Sequence, residues 1–168
     1  EMIANTGTYL DSPFHRYADG ADLSQLPLEA VADLDCVVLR AVERRGRAIE
    51  RLPFDSETLR GKALLVHTGW DAHWRTDEYF EDHPFLTAEL AHQLVAAGVA
   101  LVGIDSFNID STDDGHRPVH SALLGAGILI VEHLCGLAAV PDTGARFYAV
   151  PVKVKGMGTF PVRAFARV

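Results

Sequence analysis

The chain has 168 residues, 48% of them hydrophobic and 23% charged, with a formal net charge of −8. That length and balance describe a single globular domain able to bury a core without disulfides, and they exclude a disordered chain. The acidic excess argues against nucleic acid or an anionic membrane as partner, because both reward a basic surface. The longest apolar runs, 95–104 and 123–131, are too short to cross a bilayer, and no signal peptide is visible. A cytoplasmic location is therefore expected. Cys36 and Cys135 both stand in apolar sequence and read as reduced core thiols.

The first informative segment is Asn5-Thr6-Gly7-Thr8-Tyr9-Leu10-Asp11-Ser12-Pro13-Phe14-His15. It reads as a strand running into a rigid turn, with Gly7 permitting close backbone approach and Pro13 fixing the path from Asp11 to His15. An ordinary strand and turn, with Asp11 as an Asx cap, is an equal reading of this segment alone. Residues 36–42 alternate weakly and read as a strand. Residues 63–68 (ALLVHT), bounded by Gly61 and Gly69, read as a buried strand. Thr87 is placed to cap a helix that runs to Gly98 with Leu90, Leu94 and Val95 on one face. Residues 99–104 form a strand closing in Asp105. Pro118 opens a short helix that ends near Gly125 or Gly127. Residues 128–131 form the next strand, with Glu132 at its carboxyl end, and 148–154 and 162–168 read as late strands. Strands and helices alternate, so the fold class is α/β with a mixed sheet.

Polar residues gather at the ends of these elements, where α/β domains place their chemistry. Asp11 and His15 follow the first strand, and Asp105 and Asp110 follow the strand at 99–104. His120 lies just inside a helix N-terminus, which disfavours protonation and keeps the imidazole in the neutral form a metal needs. Glu132 breaks an apolar run, and a buried carboxylate is costly unless paired or bound to a cation. A capped or solvent-facing His120, and a Glu132 paired with Arg117, His133 or a lysine, explain the same residues without a metal. His67 reads as a hydrogen-bonded core residue, and His73, His83 and His92 as exposed. His116 and His120 have helical metal-pair spacing, but Pro118 stands between them. Arg44-Arg45-Gly46-Arg47 reads as a solvated turn. No P-loop, dinucleotide fingerprint or nucleophile elbow is present.

Taken together, these segments resemble the cyclase-type metal-dependent hydrolases, a family that includes bacterial kynurenine formamidase and isatin hydrolase. The family signature H-x-G-T-H-x-D-x-P-x-H is similar to Asn5-x-Gly7-Thr8-Tyr9-x-Asp11-x-Pro13-x-His15. The likeness continues through Thr68-Gly69-Trp70-Asp71, Gly103-Ile104-Asp105 with Asp110, His120-Ser121-Ala122-Leu123-Leu124 and Ile130-Val131-Glu132. It implies a swivelling β/β/α domain over residues 1–168 that lacks an N-terminal segment, since family chains carry a strand-bearing segment before the signature. It also implies a homodimer or homotetramer.

By the same resemblance, Asp11, His120 and Glu132 are metal ligands and His15 is the catalytic histidine. Asn5 and Tyr9 replace the two signature histidines that hold the family's first metal. An amide oxygen is a poor zinc ligand, and a phenol with a pKa near about 10 must lose its proton to bind. The expectation is therefore one divalent ion, zinc or alternatively manganese, with Asn5 and Tyr9 as degenerate metal positions. Tyr9, Phe14 and Trp70 are expected to bind substrate, plain core packing being an equal reading of Phe14 and Trp70. The implied reaction is hydrolysis of a non-peptide C–N bond or lactone in a small molecule. Its reference is N-formylkynurenine to kynurenine and formate, in tryptophan catabolism by the kynurenine pathway. The alternative is a non-catalytic relative that binds a small molecule or partner, with the Tyr9 hydroxyl bonded to Glu132 or His15. A further option makes Tyr9 a proton donor in an altered hydrolase.

Overall fold

A strand that is apolar at successive positions must be covered on both faces, and Ala63-Leu64-Leu65-Val66 is such a strand. The computed structural model describes residues 2–43 and 45–168. In chain order the strands are β1 (Tyr9–Asp11), β2 (Leu34–Arg40), β3 (Ala48–Ile49), β4 (Ala63–His67), β5 (Phe85–Leu86), β6 (Leu101–Ile104), β7 (Leu129–Glu132), β8 (Ala145–Tyr148), β9 (Thr159–Pro161) and β10 (Phe165–Arg167). The α-helices are α1 (Ser56–Leu59), α2 (Ala88–Ala97) and α3 (Pro118–Gly125).

One large sheet has the order β10-β8-β2-β4-β6-β7-β1-β9, and β3 pairs with β5 apart from it. Its centre, β2-β4-β6-β7, is parallel, and the flanking pairs are antiparallel. This is the mixed α/β sheet expected from the sequence. Period-2 alternation divides β4 between two cores. Leu64 and Val66 pack with Leu90, Leu94 and Leu123 of the helices, whereas Ala63 and Leu65 pack with Leu23, Val38 and Phe147 on the other face. Helix α2 keeps the caps its sequence announces. The Thr87 side chain accepts from the Leu90 N–H, and Gly98, at φ 70, donates to the Leu94 and Val95 carbonyls.

The late strands differ from expectation. Residues 149–154 form no strand, and Pro151 there has no N–H to give a ladder. Strand β9, which the pattern did not announce, is an edge strand on β1 with Pro161 at its end. Cys36 is buried, but Cys135 is exposed, because the chain turns out of the sheet after β7 toward Gly136 at φ 70. Both thiols are free.

His83 is another correction: it is fully buried, with Nδ1 3.1 Å from the Pro84 carbonyl oxygen. Its polar sequence neighbours hide this because the burial comes from elsewhere. Leu86 N donates to Ile109 O at 2.9 Å and Ser106 Oγ donates to Pro84 O at 2.8 Å, drawing the loop after β6 over it. His92 is exposed, and His73 meets Glu78 at the surface at 3.0 Å. Arg47 is no free turn residue: it donates to Asp113 at 2.9 Å and lies over the Phe85 ring. Arg44, of the same basic cluster, lies outside the described residues.

Two outcomes follow from this packing. A Cβ on Gly158 would stand 2.2 Å from His15 N and 2.5 Å from its Cα, so the start of β9 needs glycine to reach the His15 turn. Gly158→Ala is expected to cost about 1–3 kcal/mol in urea unfolding. Gly115→Ala, in open space, is expected to leave the midpoint unmoved.

Burial holds His83 below its ordinary pKa of 6.5. The unfolded chain gains a proton there near 6.5 while the folded chain does not, so stability falls as pH drops through that value. His83→Gln is expected to lose less stability than the parent between pH 7 and 5.5, read from urea midpoints.

Candidate functional site

The register of two short strands decides which polar side chains meet. Strands β1 and β7 pair antiparallel with Tyr9 opposite Glu132 and Asp11 opposite Ile130. Leu10, Leu129 and Val131 point into one core, and Ile130 points into the helix-side core. Alternation therefore turns Tyr9, Asp11 and Glu132 to the helix side, toward α3. All three are buried.

Glu132 Oε1 accepts the Ile109 N–H at 2.6 Å, and Oε2 accepts the Tyr9 hydroxyl. Burial, the Glu132 charge and the Asp11 charge all push the Tyr9 phenol far above its ordinary value, so it stays protonated and donates. Burial also raises Glu132. Asp11 Oδ1 accepts from Thr159 Oγ1 and lies 3.6 Å from His15 Nδ1. Asp11 Oδ2 is buried, has no hydrogen-bond partner, and stands 3.5 Å from His120 Nε2.

Helix α3 supplies His120. Its N-cap is Arg117, a left-handed residue at φ 50 that offers no side-chain cap. Asp110 caps the helix instead, from the loop after β6. Its carboxylate accepts the Val119 N–H at 2.7 Å and the His120 N–H at 2.9 Å. The same group meets His120 Nδ1 at 2.6 Å. Asp110 remains below its ordinary pKa: burial would raise it, and these hydrogen bonds outweigh burial. Burial tends to lower His120, but Glu132, Asp11 and Asp110 together bring it to about 9. Arg117 Nη2 stands 2.9 Å from His120 Nε2 and opposes that rise.

Asp11, His15 and His120 each offer a ligand atom, and these atoms lie within 4.8 Å of one another. Glu132 Oε1 is 3.7 Å from His120 Nε2. Ligand atoms about 2.1 Å from a tetrahedral zinc lie roughly 3.4 Å apart, so these spacings and the unpartnered Asp11 oxygen fit a divalent ion. His116 is exposed and apart from the cluster, as Pro118 implies.

The cluster opens on a cavity of about 500 Å³ whose lining includes Asn5, Tyr9, His15, Trp74, Phe107 and Arg117. His15 is the accessible member, its side chain 28% exposed, and burial holds it below its ordinary pKa and neutral. Neither Trp70 nor Phe14 lines this cavity. The Trp70 indole is tied to the Tyr79 carbonyl at 3.0 Å, and Phe14 sits half-buried in the turn that directs His15 toward the opening. Trp74, Phe80 and Phe107 form the aromatic wall instead, with His133, whose Nδ1 lies 2.9 Å from the Tyr79 hydroxyl. Asp105 is structural. It accepts from Thr68 N at 2.8 Å and Gly69 N at 2.9 Å, fixing the loop that carries Trp70.

The family described as "Putative cyclase" matches residues 1–111. The chain is 30% identical over 168 residues to the kynurenine formamidase of Bacillus cereus, covering 99% of this chain and 77% of that protein. It is 31% identical to the kynurenine formamidase of Salinibacter ruber, with the same coverage. The chain belongs to the cyclase family.

Among solved structures, this cyclase-family chain is similar to isatin hydrolase A of Labrenzia aggregata bound to benzyl benzoate. The TM-score is 0.83 at 25% identity, over 95% of this chain and 72% of that one. A potential metal-dependent hydrolase with cyclase activity gives 0.75 at 27% identity, over 98% and 79%. Asp110→Asn tests the site's internal wiring. An amide offers one acceptor where three N–H groups converge, so the variant is expected to lose about 1–3 kcal/mol in chemical denaturation.

Proposed function

We propose that this chain is a metal-dependent hydrolase of arylformamidase type, acting on a non-peptide C–N bond or lactone of a small aromatic molecule. Its reference reaction is N-formylkynurenine to kynurenine and formate. The observation that carries the reading is the buried, unpartnered Asp11 oxygen facing His120 Nε2 beside an aromatic cavity. Kinship with the kynurenine formamidases supports the same chemistry.

Asp11, His120 and Glu132 would hold the ion, zinc or alternatively manganese, because they are the buried members. When bound, it polarises the scissile carbonyl and lowers the pKa of water from about 16 toward 7. His15, partly exposed at the cavity and kept neutral, takes the proton from the attacking water and gives it to the leaving amine or alkoxide. Asp11, 3.6 Å from its Nδ1, orients that ring and steadies its charged form. Trp74, Phe80 and Phe107 bracket a flat substrate at the cavity wall. Tyr9 keeps its proton and pins Glu132, a poor match for a proton donor to substrate.

The Tyr9–Glu132 bond also favours a second reading, a non-catalytic binder in which a closed hydrogen bond replaces part of the metal centre. We further propose a cytoplasmic location, the default for a chain of this composition, and a homodimer or homotetramer by family resemblance. No helix among the described residues is long and apolar enough to cross a membrane.

Metal analysis of freshly purified protein, with a screen of aryl formamides and lactones, tests the proposal. Stoichiometric metal and turnover are expected, and His15→Ala is expected to lower kcat by about 10²–10⁴ with metal content retained. Turnover seen only after Asn5→His with Tyr9→His would establish the non-catalytic reading.

A further inference from the structure

His120 has two ring nitrogens, and both are engaged. Nδ1 faces Asp110 Oδ2 at 2.6 Å and Nε2 faces Arg117 Nη2 at 2.9 Å. A guanidinium carries N–H donors and no acceptor. In the neutral ring, with the Nδ1 proton on Asp110, Nε2 turns its lone pair to Arg117; in the charged ring it has no lone pair to give, and in both the guanidinium stands 2.9 Å from the atom an ion would bind. One lone pair serves one partner. A divalent ion held by His120 needs the same lone pair, so arginine and ion exclude each other at this atom.

Charge points the same way. The half-buried Arg117 cation stands close enough to act on Tyr9, His15 and His120 alike. Its backbone is left-handed at φ 50, a conformation that side-chain-bearing residues rarely hold and that contacts elsewhere in the structure must offset. Arg117 also lines the aromatic cavity, which leaves its side chain a place to go.

We infer that Arg117 is a placeholder cation for the metal centre. It occupies His120 Nε2 and balances the buried carboxylates until an ion arrives, and the ion's arrival drives it into the aromatic cavity. There the guanidinium faces the anionic or carbonyl end of a bound substrate. The inference rests on the reading that Asp11, His120 and Glu132 hold a divalent ion.

The test compares metal-stripped wild-type protein with Arg117→Met, which keeps an apolar stem and removes the charge. Each is titrated with Zn²⁺ and with Mn²⁺ against a chromophoric chelator. Removing the competitor is expected to tighten binding by about tenfold or more, because the binding-competent fraction rises. Metal-free Arg117→Met is expected to melt below metal-free wild type, and saturating Mn²⁺ is expected to erase that difference. Equal or weaker metal affinity in the variant overturns the inference.

Should Arg117→Met not fold without metal, wild-type protein decides. Its arginine side-chain ¹H–¹⁵N resonances are expected to show one guanidinium changing environment as Zn²⁺ is added, and unchanged resonances at full Zn²⁺ occupancy overturn the inference. A wild-type protein that binds no ion defeats the metal reading as well. One that binds, with a variant that binds no tighter, defeats the placeholder alone.

Discussion

The structure turns on the burial of three carboxylates, Asp11, Asp110 and Glu132, around one imidazole. A desolvated carboxylate must be matched by donors or by positive charge. Asp110 is matched by two backbone N–H groups and the His120 ring, and Glu132 by Ile109 N and the Tyr9 hydroxyl. Asp11 is matched at one oxygen only, by Thr159. The remaining oxygen accepts no hydrogen bond and stands 3.5 Å from His120 Nε2. A cation bound there would be linked to folding, since the unfolded chain has no such cluster to offer.

How this cluster forms depends on short elements set by long-range pairing. The three-residue β1 is held between β7 and β9, which come more than a hundred residues later. That pairing places Tyr9 and Asp11 on one face of the sheet. The close approach of Gly158 to His15 then sets where the accessible histidine stands. The edge strand β9 is thus part of the site's framework, although none of its residues carries the proposed chemistry.

What the sequence made legible was local. Helix α2 with Thr87 and Gly98 at its ends, α3 opening on Pro118, and the apolar run of β4 each follow from residues within a few positions. Asp11, His120 and Glu132 were visible because they interrupt apolar patterns at element ends, and because their order resembles a known family. The rest depended on distance. Tyr9 could reach either Glu132 or His15 until the register with β7 chose Glu132. The dual role of Asp110 has one faint sign, a helix whose N-cap is arginine with no capping side chain of its own. The aromatic wall is made by Trp74, Phe80 and Phe107 rather than Trp70 and Phe14. Which way a side chain leaves a short 3₁₀ turn is not written in periodicity. His83 and Cys135 were misplaced for the same reason, their exposure being decided by loops distant in sequence or by a turn after the strand.

A tyrosine at position 9, where the family resemblance implies a histidine, bears on the charge balance as well as the ligand count. An imidazole at that position would bring a lone pair and attract an ion, whereas a phenol brings a proton and gives it to Glu132. The hydroxyl thereby satisfies one oxygen of the buried Glu132 carboxylate. With Asp11 and Glu132 as the anionic donors of the proposed site, a single divalent ion would bring that pair to neutrality. Asp110, the third buried carboxylate, then leaves one negative charge for Arg117, whose guanidinium also lines the cavity. The phenol on Glu132 and the arginine beside His120 are thus two parts of one electrostatic arrangement.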